Sequence, residues 1–334
     1  MTTTRRLSTL CTATSGLTAA VLAATLLPAD AADRDGKATA DISVSADSCI
    51  ASGDSTRTRT VEGWEASRGP VSASASSAVR FADPGDAADV IEVKGSVDVG
   101  AARVDRADGS TVITGTASAS GTTTPSRVEA ACAVDSFVFG TVNGHIEVTS
   151  PRWVTITGSG DGDGDGDGRT IAHASLGADE ITALAVHVGR RSSGRAEGLI
   201  PAGAHQFEMT SGTALFNAQQ SSHVAYGGRF SILLQPLGAA SKATGNAGLL
   251  VKLRKRACAT GAINAVITPR GARNARKLVV TVNGERRAAF ARKRLRARTF
   301  TVPAPRTAKA QVTATVTTKA GTIRRLSRSY LPCA

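Results

Sequence analysis

Residues 277–290 of the chain read KLVVTVNGERRAAF. In this stretch a run of β-branched and apolar residues, 277–282, meets the pair Asn283-Gly284 and continues as a second run, 285–290. An Asn-Gly pair between two such runs is the strongest short-range signal for a β-hairpin, because both central residues of a type I′ turn need a positive φ. The stretch therefore predicts two antiparallel strands joined by a tight turn.

The segment around this hairpin, from Cys258 to Cys333, repeats the pattern. Residues 262–268 alternate, and a further hairpin is predicted from two Thr- and Val-rich runs, 312–317 and 322–327, separated by Lys-Ala-Gly. Thr and Val fit a pleated, half-buried surface better than a helix. Several short strands in a segment of this length predict a small β-sandwich.

The cysteines predict two disulfide bonds. Of the five cysteines, Cys11 lies in the leader, and an even number remains in a chain that is expected to be exported. Cys49, Cys132, Cys258 and Cys333 allow three pairings. The sequential pairing is favoured, because a small domain buries little apolar area and a bond that closes a loop of this length contributes roughly 4 kcal/mol.

Residues 257–334, with strands and turns of this kind between two terminal cysteines, resemble the immunoglobulin-like modules that end many secreted bacterial proteins. The resemblance implies a sandwich fold and a spacer or adhesive role. It transfers no functional residue to this chain.

The first 31 residues have the features of a secretory signal peptide. Arg5 and Arg6 precede a short apolar run, 17–27, and Ala29-Asp30-Ala31 fits a small-x-small cleavage pattern. No later segment reaches the roughly 18 apolar residues of a membrane span, so no transmembrane segment is expected. The mature protein is expected to be extracellular, either released or associated with the cell wall.

The overall pattern predicts an all-β protein. Residues 90–99 alternate apolar and polar side chains at period two, a second Asn-Gly pair at 143–144 predicts another hairpin, and no segment after the leader sustains a helical period. We expect two or three consecutive immunoglobulin-like or jelly-roll-like sandwiches. The predicted ranges are a linker at 32–37, an acidic sandwich at 38–136, a second sandwich at 137–245 that could form one unit with the first, a linker at 246–256 and a basic sandwich at 257–334.

Charge is divided unevenly along the chain. Residues 254–334 hold 20 Lys and Arg but one acid, Glu285, for a net charge of +19, whereas residues 32–253 carry −7. Such an asymmetry indicates an anionic partner for the basic part, although an Arg-rich composition alone would give the same surface. The predicted binding residues for an anionic cell-wall or extracellular polymer are Arg286, Arg287, Arg292, Lys293, Arg294, Arg296 and Arg298. Nucleic acid is not expected as a partner, because the segment offers few aromatic rings for stacking and the chain is exported.

A tract of alternating Asp and Gly raises the possibility of a metal site. Its acidic residues are Asp161, Asp163, Asp165 and Asp167. Their spacing matches the start of an EF-hand loop, but Ala172 stands where that loop needs a bidentate Glu. Two interpretations stay open, a weak calcium site and a solvated hairpin loop without a metal.

Motifs of catalysis are absent from the sequence. It contains no GxSxG, SxxK, HExxH, Walker or GxGxxG pattern in a suitable context. The favoured function is therefore non-catalytic adhesion without a cofactor. The alternatives are a secreted hydrolase or glycan-processing enzyme with an appended anchor, and a purely structural spacer. Nothing in the sequence indicates an oligomeric state.

Overall fold

The computed structural model describes residues 36–64, 70–165, 168–178, 181–188 and 191–334. The predicted signal peptide at 1–31, residues 32–35 of the first predicted linker, and Asp167 of the Asp-Gly tract lie outside these ranges.

Most of the described chain forms β-strands and very little of it is helical, which confirms the all-β prediction. The first thirteen strands are β1 (Gly36–Ala46), β2 (Ile50–Ser52), β3 (Thr56–Trp64), β4 (Val71–Asp83), β5 (Asp86–Asp105), β6 (Thr111–Pro125), β7 (Val134–Val148), β8 (Arg152–Gly164), β9 (Arg169–Ala178), β10 (Ile181–Val188), β11 (Ser192–Ile200), β12 (Gly203–Ala218) and β13 (Ser222–Pro236). The remaining elements are β14 (Thr244–Gly245), β15 (Val251–Arg256), β16 (Ile263–Ile267), α1 (Pro269–Asn274), β17 (Ala275–Val282), β18 (Glu285–Ala291), a 3₁₀ turn (Arg292–Arg294), β19 (Arg298–Val302), β20 (Ala310–Thr318) and β21 (Ile323–Tyr330).

Strands β1–β13 form two antiparallel sheets, which we call the acidic sandwich. The six-stranded sheet has the order β10-β9-β12-β7-β1-β3, and the seven-stranded sheet has the order β11-β8-β13-β6-β5-β4-β2. Both sheets mix strands from the ranges 38–136 and 137–245, and β7 runs across the predicted boundary between them. One apolar core, extending from Ala38 to Leu234, lies between the two sheets.

Alternation of side chains explains how this core forms. Along β5, Val93, Val97 and Val99 are buried while Lys94 and Asp98 are exposed. Successive side chains of a strand point to opposite faces, so one face of β5 packs inward and the other meets solvent. The strand predicted at 90–99 is confirmed, and it extends to the bounds of β5.

The hairpin predicted at Asn143-Gly144 is wrong. Both residues lie inside the continuous strand β7, where Asn143 pairs with Lys37 and Gly144 pairs with Phe207. A Cβ atom at position 144 would lie 2.9 Å from the Cε1 atom of Phe207 and 3.2 Å from the Cα atom of Gly36. Gly144 therefore serves close packing against a buried ring and not a turn.

Strands β14–β21, which we call the basic module, form a second sandwich with its own core. A five-stranded sheet, β14-β21-β20-β17-β18, packs on a three-stranded sheet, β15-β16-β19. The hairpin predicted at Asn283-Gly284 is confirmed, with φ values of 51° and 87° at the two turn residues. Gly321, with a φ of 83°, turns the second predicted hairpin between β20 and β21.

The range predicted as a linker, 246–256, contains strand β15. In β15 the buried Val251 and Leu253 alternate with the exposed Lys252 and Arg254. The density of cations makes this segment look like a linker in the sequence, but its apolar positions complete the core of the basic module.

Both predicted disulfide bonds are present. Cys49 and Cys132 lie 6.1 Å apart between their Cα atoms, and Cys258 and Cys333 lie 5.0 Å apart. The second bond joins the end of β15 to the residues that follow β21, so the first long strand and the last strand of the basic module are covalently tied.

Arg256 is a buried cation of the basic module. It is 6% exposed, and its guanidinium donates hydrogen bonds to four backbone carbonyls, at distances of 3.1 Å to both Gly261 and Ala308 and 2.6 Å to Leu331, with a fourth to Pro305. Burial lowers the pKa of Arg256 from its ordinary value. One side chain thus holds together three separate loops beside the Cys258–Cys333 bond.

One cation connects the basic module to the acidic sandwich. The Lys309 ammonium contacts the Glu197 carboxylate and lies 5.6 Å from the centroid of the Trp153 ring. Lys309 and Arg195 together lower the pKa of Glu197, and the Lys309 hydrogen bond is the larger cause.

Candidate anion-binding site

Strand β18 places two of the predicted cations at the edge of a sheet. It pairs with β17 through the Asn283-Gly284 turn, and within the described residues it ends the order of the five-stranded sheet. Arg286 and Arg287 are exposed on it. Charged side chains on an edge strand also discourage pairing with the edge of another sheet, so these arginines have a structural use as well.

The next cations are presented by a short turn with an apolar anchor. Leu295 is buried in the core next to the 3₁₀ turn, while Lys293, Arg294 and Arg296 around it are exposed. Because Leu295 points into the core, the side chains of the neighbouring cations point to solvent. The backbone of Arg292 begins the turn, and its side chain lies outside the described part.

Arg298 is held over an aromatic ring. Its guanidinium carbon lies 4.7 Å from the centroid of Phe290, and that ring meets Phe300 edge to face at a centroid distance of 4.7 Å. A cation over a ring face gains roughly 0.5–1 kcal/mol at an exposed site. The position of Arg298 is therefore more restricted than that of a free surface arginine.

These elements enclose a shallow groove of about 500 Å³, which we call the edge groove. It is lined by Lys277, Ala289, Phe290, Ala291, Lys293 and Arg294. Lys277 lines the edge groove because it pairs with Ala291 across the β17–β18 ladder. The sequence identified Lys293 and Arg294 within a visible run of cations but missed Lys277, which stands on a different strand.

Counter-charges are scarce around the edge groove. Glu285 is the acid of the whole 254–334 range, and its carboxylate pairs with Arg287. Among the described residues, Lys277, Lys293 and Arg294 make no ion pair. Neighbouring cations without partners repel one another, so an anion in the groove would relieve that repulsion.

The Asp-Gly tract lies elsewhere, at the end of β8. Asp161 and Asp163 are exposed on the same face of the strand, and Asp165 follows the strand, where its carboxylate accepts a hydrogen bond from the His223 amide at 2.6 Å. The nearest atoms of Asp161 and Arg191 are 3.9 Å apart. In the described residues, which leave out Asp167, no three His, Cys, Asp or Glu side chains are grouped as metal ligands. The calcium site remains a prediction.

A second groove, of about 960 Å³, crosses the outer face of the seven-stranded sheet. Most of its lining residues are small, namely Ser, Gly, Ala and Thr, and its charged residues are Arg59, Asp98, Asp161 and Arg229. Under the hydrolase alternative, a groove of this kind would bind the substrate and would need a pair of carboxylates.

The two carboxylates of this groove stand on strands that are three positions apart in the sheet. Asp98 and Asp161 lie in one row across β5, β6, β13 and β8, since Asp98 pairs with Ser118, Ser118 with Gly227, and Gly227 with Asp161. Three strand spacings put their backbones about 14 Å apart. The carboxyl groups of catalytic pairs in glycosidases lie roughly 5–9.5 Å apart, so this register does not favour such a pair. Asp163 is nearer to Asp161, but the Asp161 side chain is 92% exposed and lacks the burial of a general acid.

No protein-family model matches the chain, and no curated protein matches it either. Among the described residues, no helix is long and apolar enough to cross a membrane.

Proposed function

We propose that this is an exported, non-catalytic protein whose basic module adheres to an anionic extracellular polymer, such as a phosphate-rich polymer of the cell wall. The observation that carries the proposal is the charge of residues 254–334, +19 with a single acid, most of it on exposed side chains. The immunoglobulin-like resemblance of the module fits an adhesive or spacer role. The two disulfide bonds agree with an oxidising, extracellular compartment.

The edge groove has suitable chemistry for such a partner. Ammonium and guanidinium groups are donors without acceptors, so they match the oxygens of phosphates and carboxylates. Ala289 and Ala291 keep the floor low, which lets a polymer backbone approach Lys277, Lys293 and Arg294 together. Exposed charges act over roughly 8 Å at physiological salt, so binding should weaken as salt rises.

The test is co-sedimentation of the mature full-length protein with isolated bacterial cell walls at increasing NaCl. We expect retention at low salt, release at high salt, and weaker retention on walls from which the phosphate polymers have been removed. A variant with Lys277→Glu, Lys293→Glu and Arg294→Glu should bind about 100-fold more weakly, because each cation near an anionic surface contributes about 1 kcal/mol.

The matched control reverses three exposed cations that are scattered over the same module: Arg270→Glu, Arg306→Glu and Lys319→Glu. It has the same net charge as the edge-groove variant and should keep most of the binding. Absence of retention at low salt would end the adhesion proposal. Equal binding by the edge-groove variant and the wild type would show that the edge groove is not the binding site.

A further inference from the structure

A second cationic groove lies on the other flank of the basic module. It has a volume of about 780 Å³ and runs along β15 beside β21; we call it the flank groove. Val251, Leu253 and Leu326 form its apolar floor. Its charged lining residues are Lys252, Arg254, Lys255 and Arg328.

Hydrogen bonds between side chains and backbone fix the wall of the flank groove. The Arg328 guanidinium donates from Nε to the Ser241 carbonyl and from Nη1 to the Leu253 carbonyl, each at 2.7 Å. The Tyr330 hydroxyl donates to the Arg254 carbonyl at 2.7 Å. Carbonyl acceptors orient the Arg328 guanidinium without cancelling its charge, so the groove keeps a positioned cation in addition to its three exposed ones.

The two grooves lie near opposite edges of the basic module. In the three-stranded sheet β15 and β19 are the outer strands, separated by β16, and in the five-stranded sheet β21 is three positions from β18. The edge groove lies at β17, β18 and the 3₁₀ turn, and the flank groove lies along β15 beside β21. In the five-stranded sheet, strand spacing alone puts β21 about 10 Å from β17 and about 14 Å from β18, before side chains are added.

We propose that the basic module is bivalent, and that the edge groove and the flank groove bind two segments of anionic polymer at once, so that one protein molecule bridges polymer chains. The occupant follows from charge complementarity: none of Lys252, Arg254 and Lys255 has an acidic partner among the described residues. The inference rests on the proposed function in that the ligand is the same polymer. It adds a second site and a cross-linking consequence.

Two measurements on the mature full-length protein test the inference, with inorganic polyphosphate as the probe. Titration calorimetry with a phosphate oligomer too short to reach both flanks counts the sites. We expect two oligomers per chain for the wild type and one for either of two variants, Lys252→Glu/Arg254→Glu/Lys255→Glu and Lys277→Glu/Lys293→Glu/Arg294→Glu. Circular dichroism confirms that each variant is folded.

Light scattering with long-chain polyphosphate measures bridging. The wild type should scatter most light at an intermediate ratio of protein to polymer. In excess polymer few chains share a second protein molecule, and in excess protein each polymer chain is covered by protein and has no free segment left to be bridged. Each three-residue variant should still bind the polymer in a pull-down but scatter at least tenfold less. The matched control, Arg270→Glu/Arg306→Glu/Lys319→Glu, should scatter light as the wild type does.

The outcomes separate the two proposals. No binding of polyphosphate or cell walls by the wild type contradicts the adhesive function itself. Binding with one oligomer per chain, or unchanged scattering in the Lys252→Glu/Arg254→Glu/Lys255→Glu variant, overturns bivalency and leaves adhesion standing. If the matched control loses as much light scattering as the groove variants do, bridging depends on net charge alone, and bivalency is overturned as well.

Discussion

Arg256 differs from the other basic residues of its module, although the sequence around it reads as a uniform cationic run, LRKRAC at 253–258. Arg254 and Lys255 are exposed, whereas the Arg256 guanidinium bonds four carbonyls inside the module. A buried acceptor that loses its donor costs roughly 1–3 kcal/mol. The contribution of Arg256 is therefore to folding, and that of its two neighbours is to the surface charge.

Substituting Arg256→Met should lower the free energy of unfolding by about 3 kcal/mol or more, because several buried carbonyls lose their donor together. Arg256→Lys should also destabilise, since an ammonium lacks the planar fork of a guanidinium. Urea denaturation followed by circular dichroism measures both changes. Lys255→Met is the control and should stay within about 0.5 kcal/mol of the wild type. A similar loss in the Arg256→Met and Lys255→Met variants would contradict the role assigned to Arg256.

The burial of Tyr330 predicts that the folded state loses stability at alkaline pH. It is 1% exposed, and burial raises its pKa to about 12 while Arg328 acts in the opposite direction. An unfolded tyrosine ionises near pH 10, so the folded state favours the neutral phenol. The resulting stabilisation is complete below about pH 10 and is lost as the pH rises towards 12.

The measurement compares Tyr226→Phe with Tyr226→Phe/Tyr330→Phe, because burial also raises the pKa of Tyr226. At pH 8 the second substitution should cost about 1 kcal/mol, the worth of the hydrogen bond to the Arg254 carbonyl. Between pH 10 and 12 this difference should shift by about 2–3 kcal/mol in favour of the doubly substituted chain, which has no phenol to ionise at this position. A difference that stays constant from pH 8 to 12 would falsify the assignment.

At the scale of single elements, two identical dipeptides have different structures. Asn283-Gly284 forms a turn with both φ values positive, and Asn143-Gly144 continues a strand. The local signal is the same, and the deciding difference is tertiary. Gly144 lies beneath the Phe207 ring, and Phe207 stands more than sixty residues later in the chain.

Gly144→Ala should therefore destabilise the acidic sandwich by about 1–3 kcal/mol through overpacking against Phe207, which is buried and cannot move aside. Gly227→Ala is the matched control, because a Cβ atom there would meet its nearest neighbour, the Asp161 carbonyl oxygen, at 3.8 Å. That variant should be neutral or gain up to about 1 kcal/mol. Thermal denaturation compares them, and equal behaviour would argue against the packing role of Gly144.

Sequence reasoning succeeded where the signal is local. Alternation predicted β5, and Gly321 and Asn283-Gly284 predicted the turns of the basic module. The cationic run at 292–298 pointed to part of the edge groove. Sequence reasoning failed where a residue acts through another strand: Lys277 joins the edge groove only because β17 pairs with β18 in that register.

The flank groove was missed for a related reason. Its cations lie in a segment that reads as a linker, and the residues that turn this segment into a strand lie in β16. Likewise, no local pattern reveals that β7 crosses position 136 to join strands from both predicted sandwiches. Register between distant strands is set by the whole sheet, and a single sequence carries little direct record of it.

At the scale of the whole molecule, the acidic sandwich and the basic module have separate cores and one disulfide bond each. Their boundary contains the contact of Lys309 with Glu197 and Trp153. Such a contact is small beside either core, so the two parts should unfold as separate units.

Calorimetry of the mature protein should therefore resolve two transitions. Replacing Cys258 and Cys333 by Ala should cost about 4 kcal/mol and lower one transition by about 15 °C or more. Replacing Cys49 and Cys132 by Ala should lower the other transition and leave the first in place. If either pair moves both transitions together, the chain unfolds as one cooperative unit and the division into two units fails.

The Cys258–Cys333 bond has a mechanical consequence. It closes a covalent ring over a sequence separation of 75 residues, and every cation of the edge groove lies within that ring. Tension that enters from a polymer held at this groove divides between two arms, and both arms converge on the same sulfur–sulfur bridge. While the bridge is intact, a pull at the groove can extend the ring only by its shorter arm, which is at most half of the ring, or roughly 125 Å. The longer arm stays attached through the bridge and keeps a second covalent path to the rest of the protein.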